Sequence, residues 1–184
     1  WKAGGAGSAN SDGSTATVKT SANATAGISI IQYTGNGANR TLGHGLGIAP
    51  QMILTKQTSG TRGWYVGSTS IGWASELYLD SDAGSGSSPS TFNSTAPTTS
   101  VISIGSGSAA NSNGETFMAY CFADVKGFSY VGKQYVGNGN ADGPFVYCGF
   151  RPAFVMIKRE QSGKGWIMMD NKRIGFNPDN QQLL

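Results

Sequence analysis

Aromatic side chains are the residues of this sequence best suited to bind a ligand. The candidates are Trp64, Tyr65, Trp73 and Trp166. An indole or phenol ring exposed on a β-sheet can stack on the apolar face of a sugar, while polar neighbours bind the hydroxyl groups. The alternative is that these rings fill a core, which is the simpler explanation for Trp64 and Trp166 because they recur at equivalent positions. Trp73 has no equivalent and is the better candidate for a surface role.

Acid–base catalysis is not expected from the remaining polar residues. His44 is the only histidine, and Val146 stands at the equivalent position of the second copy of an internal repeat. A histidine-based catalytic site therefore does not belong to the repeated unit. Glu76, Glu115 and Glu160 lie in unlike sequence settings and none recurs, so they do not suggest the carboxylate pair of a glycosidase.

Metal, nucleotide and thiol chemistry are not predicted either. Asp80 and Asp82 could bind calcium weakly through carboxylate oxygens, but the EF-hand spacing is missing. The glycine-rich turns lack the Gly-Lys-Ser/Thr ending of a phosphate-binding loop. Cys121 and Cys148 have no Cys-x-x-Cys spacing and no histidine cluster, so we interpret them as free structural thiols, with a disulfide as the alternative. The prediction is a protein without catalytic residues, cofactor or metal.

The sequence contains an internal repeat, and the candidate residues lie on the strands and turns of its two copies. Matching residues lie 102 positions apart without a gap: Tyr33-Thr34-Gly35-Asn36-Gly37 with Tyr135-Val136-Gly137-Asn138-Gly139, Pro50 with Pro152, Lys56 with Lys158, and Gly63-Trp64 with Gly165-Trp166. This period is too long for a solenoid, so each unit should be a small domain. Asn-Gly favours a tight turn, and the conserved spacing to Pro50 and Pro152 predicts a strand that begins at each proline. Folding alone can explain this turn signature.

Composition and patterning predict an all-β fold. Glycine contributes 28 of 184 residues, only 12% of residues are charged, and 38% are hydrophobic, which is typical of short strands joined by many turns. Strands are predicted at 28–33, 52–56, 64–66, 77–79, 101–104, 116–122, 128–135, 145–147, 154–158 and 166–169. About 100 residues with this many short strands favour a two-sheet β-sandwich of the jelly-roll or lectin-like type.

The repeat divides the chain into three segments. Residues 28–126 form one complete unit, and residues 127–184 form the first half of the next. Residues 1–27 are either the end of a preceding unit or a linker that contains a strand. Because the second copy stops about halfway through the repeat, we expect the sequence to be part of a longer polypeptide.

Charge and hydropathy exclude two classes of partner. The net charge is only +3 and the basic residues are scattered, so no nucleic-acid interface is expected. No apolar run approaches the length of a membrane span, so no membrane insertion is expected. The interpretation of both cysteines as thiols favours assembly in a reducing cytoplasm.

Several motifs together resemble a repeat found in virion structural proteins of tailed bacteriophages, especially marine and cyanobacterial phages. They are YTGNG at 33–37, GLGIAPQMI at 45–53, NSTAPTTSV at 93–101, AYCFA at 119–123 and GNGNADGPFV at 137–146. The resemblance also extends to WKAGG at 1–5, which favours the linker interpretation of the first residues. It covers nearly the whole chain and carries no assigned functional residue.

The resemblance implies a module of a tail fibre or another virion appendage, made in the host cytoplasm and displayed on the particle. Its role would be architectural, with adhesion to the host surface as a further role, and its partners would be other virion proteins and copies of itself, most commonly in a homotrimer. Two alternatives remain open. One is a carbohydrate-binding, lectin-like module that binds a host surface glycan, and the other is a capsid-associated or extracellular filament protein.

Overall fold

The computed structural model describes residues 2–172 and the backbone of residues 181–183. The ends of the predicted segments 1–27 and 127–184, namely residues 1, 173–180 and 184, lie outside the described residues. The described elements are β1 (Lys19–Asn23), β2 (Ile28–Thr34), β3 (Arg40–Gly43), β4 (Met52–Gln57), β5 (Trp64–Ser68), β6 (Ser75–Tyr78), β7 (Gly86–Ser87), β8 (Val101–Ile104), α1 (Ser108–Asn111), β9 (Thr116–Phe122), β10 (Phe154–Lys158), β11 (Trp166–Asp170) and β12 (Gln181–Leu183). The fold is all-β, as the sequence predicts.

The largest sheet is antiparallel, with its seven strands in the order β1-β2-β9-β4-β5-β6-β7. The third strand in this order, β9, comes late in the chain yet lies between two early strands, β2 and β4. Successive side chains of β9 point to opposite faces of the sheet, and both faces are at least half-buried. Phe117, Ala119 and Cys121 are fully buried on one face of β9, whereas Tyr120 and Phe122 lie half-buried on the other. We call the first face the core face and the second the outer face.

The core face packs against the two-stranded sheet β3-β8. Leu42 of β3 and Ile102 and Ile104 of β8 are fully buried in the same cluster as Ile31 of β2 and Ile53 of β4. Buried residues from five strands therefore enclose an apolar interior of the kind in which each removed methylene group costs stability. The long-range pairing of β9 with β2 and β4 is what brings these distant strands together.

The hairpin β10-β11 has the same register as the hairpin β4-β5. Met52 lies opposite Ser68 and Lys56 opposite Trp64, and 102 residues later Phe154 lies opposite Asp170 and Lys158 opposite Trp166. The loops agree as well. The ammonium group of Lys56 donates to the carbonyl oxygen of Arg62, and that of Lys158 donates to the carbonyl oxygen of Lys164 at 2.7 Å.

Two predicted strands are wrong, because residues 128–135 and 145–147 form turns and irregular backbone. The equivalent of 130–136 in the first unit is β2, which β1 and β9 hold on its two sides. Among the described residues no strand pairs with 130–136 in that way, so strand propensity alone does not order it. The N-terminal strand is present as β1, and it pairs along its whole length with β2.

Candidate functional site

Trp73 lies in the core, so the hypothesis that its ring faces solvent is wrong. It is only 8% exposed, and its ring meets the ring of Phe92 edge-on at 5.8 Å between centroids. Gly67 makes room for both rings, because a Cβ atom at that position would lie 2.7 Å from Phe92 and 2.9 Å from Trp73. Gly67 lies inside β5, where a glycine often marks such a close approach, but the predicted strand ended at residue 66.

Trp64 and Tyr65 are half-buried and do not form one platform. As neighbours on β5 they point to opposite faces of the sheet. The Trp64 ring packs against Tyr120 on the outer face, with centroids 5.7 Å apart. The Tyr65 ring packs against Tyr78, with centroids 5.4 Å apart. Each ring therefore already has an aromatic neighbour within the protein.

Trp166 is a docking residue between the two hairpins. It is 5% exposed and is buried with Leu54, Val66 and Leu77 on the outer face of the large sheet. Its indole nitrogen donates a hydrogen bond to the carbonyl oxygen of Tyr78 at 2.7 Å. A buried indole that has found an acceptor contributes both apolar area and orientation. The second hairpin is thus anchored on the first unit.

The loop that follows β6 supplies the polar part of the same contact. The backbone amide of Ser85 donates to the carbonyl oxygen of Glu160 at 2.7 Å, and the amide of Gly163 donates to the carbonyl oxygen of Asp82 at 3.0 Å. Gly84 allows this approach, since a Cβ atom there would lie 2.6 Å from the oxygen of Glu160. Asp80 and Asp82 in this loop were candidates for weak calcium binding. In the structure, the loop forms backbone hydrogen bonds with the second hairpin.

Both hairpins use the same face for this contact. The first contributes Leu54 and Trp64, and the second contributes Met156 and Trp166, which are their equivalents 102 residues later. Surfaces that pair with their own equivalents in this way form self-complementary interfaces. The contact between the two hairpins therefore uses residues at equivalent positions of each.

The turn signature of the first unit binds the helical turn α1. Tyr33, which is 1% exposed, donates its hydroxyl hydrogen to the carbonyl oxygen of Ala110 at 2.7 Å. The side-chain nitrogen Nδ2 of Asn111 donates hydrogen bonds to the carbonyl oxygens of Gly105 at 2.7 Å and Ala38 at 2.8 Å. Its side-chain oxygen accepts from the backbone amide of Asn36 at 3.0 Å. Asn111 is a key residue that the sequence did not single out.

A buried cation completes this region. The guanidinium of Arg40 lies 5.0 Å from the centre of the Tyr33 ring and donates to the carbonyl oxygen of Thr34 at 2.7 Å. Burial lowers the pKa of Arg40 and raises that of Tyr33. The cation–π contact and the hydrogen bond offset part of the cost of burying the charge. We interpret this cluster as structural.

The second copy of the signature keeps its local turn and has different surroundings. The backbone amide of Ala38 donates to the side-chain oxygen of Asn36 at 3.0 Å, and that of Asn140 donates to Asn138 at 3.0 Å. Gly37 and Gly139 both have positive φ, 69° and 74°. Tyr135, however, is 47% exposed.

The remaining titratable residues serve packing or local hydrogen bonds. Buried His44 accepts the backbone amide of Leu46 at its Nδ1 atom, 3.1 Å away, and burial lowers its pKa. Glu76 is buried and accepts from Tyr78 at 2.9 Å and from Thr91 at 2.6 Å. Burial, with the hydrogen bond to Glu76, raises the pKa of Tyr78 to about 12.

The other predicted groups are spread over the molecule. Glu115 accepts from the hydroxyl of Ser59, a hydrogen bond that is the main cause of its lowered pKa, and Glu160 belongs to the docking loop. Both cysteines are free, with Cys121 in the core and Cys148 half-buried. Burial raises the pKa of the Cys121 thiol. In the part of the chain that the structure describes, no three metal-binding side chains come together.

A shallow cavity lies beside the second hairpin. Its walls include Pro152, Val155, Met169 and Asp170. Val155 and Met169 face each other across β10 and β11, on the side of the hairpin equivalent to the core face of the first unit. None of the four aromatic candidates lines this cavity.

The comparisons with known proteins give a family and no function. A family model described as "Domain of unknown function (DUF7483)" matches residues 1–184. Neither the curated proteins nor the solved structures gave a match. Within residues 2–172 and 181–183, no helix has the length and hydrophobicity needed to cross a membrane. Both hairpins and the contact between them fall inside the match, and the chain belongs to the DUF7483 family of domains of unknown function.

Proposed function

We propose that this chain is an architectural module of a virion appendage, such as the tail fibre of a tailed bacteriophage, built from two-sheet β-sandwich units that recur every 102 residues. The observation that carries the proposal is the docking of the second hairpin on the first unit through Trp166. A module whose neighbour binds directly to it transmits orientation along an array, as a fibre requires. No catalysis is assigned to the module.

The contacts of the interface support this role. An apolar centre of Leu54, Val66 and Trp166 is flanked by the backbone hydrogen bonds between the loop after β6 and the second hairpin. An interface of this kind holds two units in one orientation, because hydrogen bonds fix direction while apolar burial provides most of the free energy. Flexible linkers between units would not do so.

The direct test is the location of the chain on a particle. Antibodies raised against the purified chain would be applied to virions released from infected host cells and observed by immunogold electron microscopy. We expect gold particles along the tail appendages. Label on the capsid shell would favour the alternative of a capsid-associated protein, and absence of label from intact and disrupted particles would overturn the virion assignment.

Oligomeric state is a second measurable part of the proposal. We expect a homotrimer, the common state of fibres to which the sequence shows a resemblance. Sedimentation equilibrium of the purified chain determines the molar mass directly. A mass that stays equal to that of one chain over the accessible concentration range would contradict self-association.

Sugar binding is retained as the alternative function. It now rests on Trp64 and Tyr65, because Trp73 and Trp166 are buried. A glycan array with host surface polysaccharides tests it, with Tyr65→Ala and Trp64→Ala as variants. Because the two rings lie on opposite faces of the sheet, saturable binding that one of the two variants abolishes would make the module a lectin, whereas absence of binding would leave architecture as its role.

A further inference from the structure

Residues 2–8 cover the edge of the large sheet at β1. They run antiparallel to β1 along its open side. The backbone groups of Ser8 exchange two hydrogen bonds with those of Thr20, at 2.7 and 3.2 Å. Further along, the side-chain nitrogen of Asn23 donates to the carbonyl oxygen of Lys2 at 2.8 Å. We call residues 2–8 the edge cover.

The edge cover occupies a strand position without forming a regular strand. Backbone groups of alternate residues in a strand face the same side, so those of Ala22 point toward the cover as those of Thr20 do. Gly4 lies against Ala22, because a Cβ atom on Gly4 would be 2.1 Å from the carbonyl oxygen of Ala22. In the part of the chain that the structure describes, however, no backbone hydrogen bond joins the cover to Ala22. The cover therefore shields this edge without pairing fully with it.

The edge cover also buries little of its own surface. All of its residues are exposed except Ala3, which is half-buried. A segment with few buried contacts and few backbone hydrogen bonds opens at a small cost in free energy. We therefore expect the cover to leave β1 more readily than β1 leaves β2, with which it pairs along its whole length.

Without the cover, β1 would present an unpaired strand edge. Such an edge is a template for pairing with a strand of another chain. The opposite edge of the sheet is β7, which has only two residues, and very short edge strands are poor templates. The five-residue strand β1 is therefore the edge of this sheet that is able to accept another strand.

We propose that the edge cover inhibits pairing of β1 with β1 of a second copy of the chain. The contact forms only when residues 2–8 leave the edge. The inference goes beyond the proposed function, because two identical strands that pair edge to edge are related by a twofold axis, whereas a fibre homotrimer has a threefold axis.

The backbone groups of β1 define the register of this pair. The outward-facing groups belong to Thr20 and Ala22, so antiparallel pairing places Thr20 opposite Ala22 of the partner subunit, with the twofold axis at Ser21. Lys19, the only charged residue of β1, then lies opposite Asn23 of the partner subunit. Like charges directly opposite each other would destabilise a strand pair, and this register avoids them. The strand is therefore compatible with a second copy of itself.

The test displaces the edge cover in the 184-residue chain. Ser8→Pro removes the amide that donates to Thr20, and Gly4→Val places a side chain where the backbone of Ala22 leaves no room. Sedimentation velocity measures self-association over a concentration series. We expect each variant to associate at concentrations at least about tenfold lower than the parent chain, because the cover no longer competes for the edge. If one variant loses the sheet, the other carries the test.

Hydrogen exchange locates the contact in the associated protein. The amides of Thr20 and Ala22 should exchange faster in the variants than in the parent chain at low protein concentration. They should become protected as the concentration rises. Slow exchange of residues 28–34 at every concentration shows that the large sheet is folded.

Ala22→Pro provides the matched control. The amide hydrogen that it removes faces the edge and not β2, and proline is tolerated on edge strands for this reason. Added to Ser8→Pro or to Gly4→Val, it should return self-association to the level of the parent chain.

Two results would overturn the proposal. One is self-association of the displaced variants at the same concentrations as the parent chain. The other is increased association that persists when Ala22→Pro is added, because the contact would then not involve the edge of β1. Neither result affects the location of the module on a particle.

Discussion

The indole nitrogen of Trp166 and the carbonyl oxygen of Tyr78 lie 2.7 Å apart and form a hydrogen bond between residues 88 positions apart in the chain. Tyr78 ends β6, near the edge of the large sheet, and Trp166 begins β11. The bond therefore joins the second hairpin to the first unit at a defined point. Its removal tests whether the two parts are held by this contact.

We expect Trp166→Ala to release the second hairpin from the first unit. The substitution removes a buried indole, which typically costs about 3–5 kcal/mol, and it leaves the carbonyl oxygen of Tyr78 without this donor. Hydrogen exchange should accelerate at 154–158 and 166–170 and remain slow in β2 and β9. Trp166→Phe is the matched control, since it keeps most of the apolar area and loses only the hydrogen bond, at a cost of about 1 kcal/mol. Unchanged exchange in Trp166→Ala would contradict the docking role.

Two equivalent glycines of the turn signature should respond differently to alanine. A Cβ atom on Gly35 would lie 1.9 Å from the backbone oxygen of Ser112, whereas Gly137 has no atom within 4 Å of that position. We expect Gly35→Ala to lower the free energy of unfolding by about 1–3 kcal/mol, and Gly137→Ala to change it by less than about 0.5 kcal/mol. Urea unfolding measures both, and equal effects would show that the contact with Ser112 is unimportant.

Gly67 should be required by the packing of Trp73 and Phe92. We expect Gly67→Ala to cost about 1–3 kcal/mol, because its Cβ atom would meet the Phe92 ring at 2.7 Å. The double variant Gly67→Ala with Phe92→Leu should cost less than the sum of the two single changes, since the smaller side chain relieves the overlap. Thermal unfolding of the four proteins completes the cycle. Additive costs would place the strain elsewhere.

His44 should make the fold sensitive to mild acid. Burial lowers its pKa in the folded chain below the ordinary 6.5, so the unfolded chain binds the proton more readily. The stability that His44 contributes is complete above about pH 6.5 and is lost as the pH falls toward its folded pKa. The free energy of unfolding should therefore decrease as the pH falls below about 6.5.

Nuclear magnetic resonance can follow this group without ambiguity, because the chain has one histidine. The imidazole resonances should titrate below the ordinary pKa in the folded protein. His44→Val, which introduces the residue found at the equivalent position 146, should reduce stability at neutral pH and flatten the pH dependence. A titration at or above 6.5 would contradict the burial argument.

Much of the fold could be predicted because local patterns express it directly. The bounds of β8, β9 and β10 agree with the prediction, those of β2, β4, β5, β6 and β11 differ by one or two residues, and β3, β7 and β12 were not predicted. Alternation in Phe117, Ala119 and Cys121 indicates which face is buried, since successive side chains of a strand point to opposite sides. The candidate site was less predictable. Trp73 faces the core, where Gly67 leaves space for its ring and Phe92 packs edge-on beside it, and neither contact is evident from local sequence.

Tyr33 and Tyr135 occupy equivalent positions of the repeat but differ in their surroundings. The Asn-Gly turn that follows each tyrosine is encoded locally, because a side-chain hydrogen bond over two residues and a glycine with positive φ are local interactions, present in both copies. Tertiary structure alone decided that Tyr33 is buried against Ala110 and Tyr135 is exposed. Burial requires α1, whose Ala110 lies 77 residues after Tyr33, and β9, which follows α1 and pairs with β2.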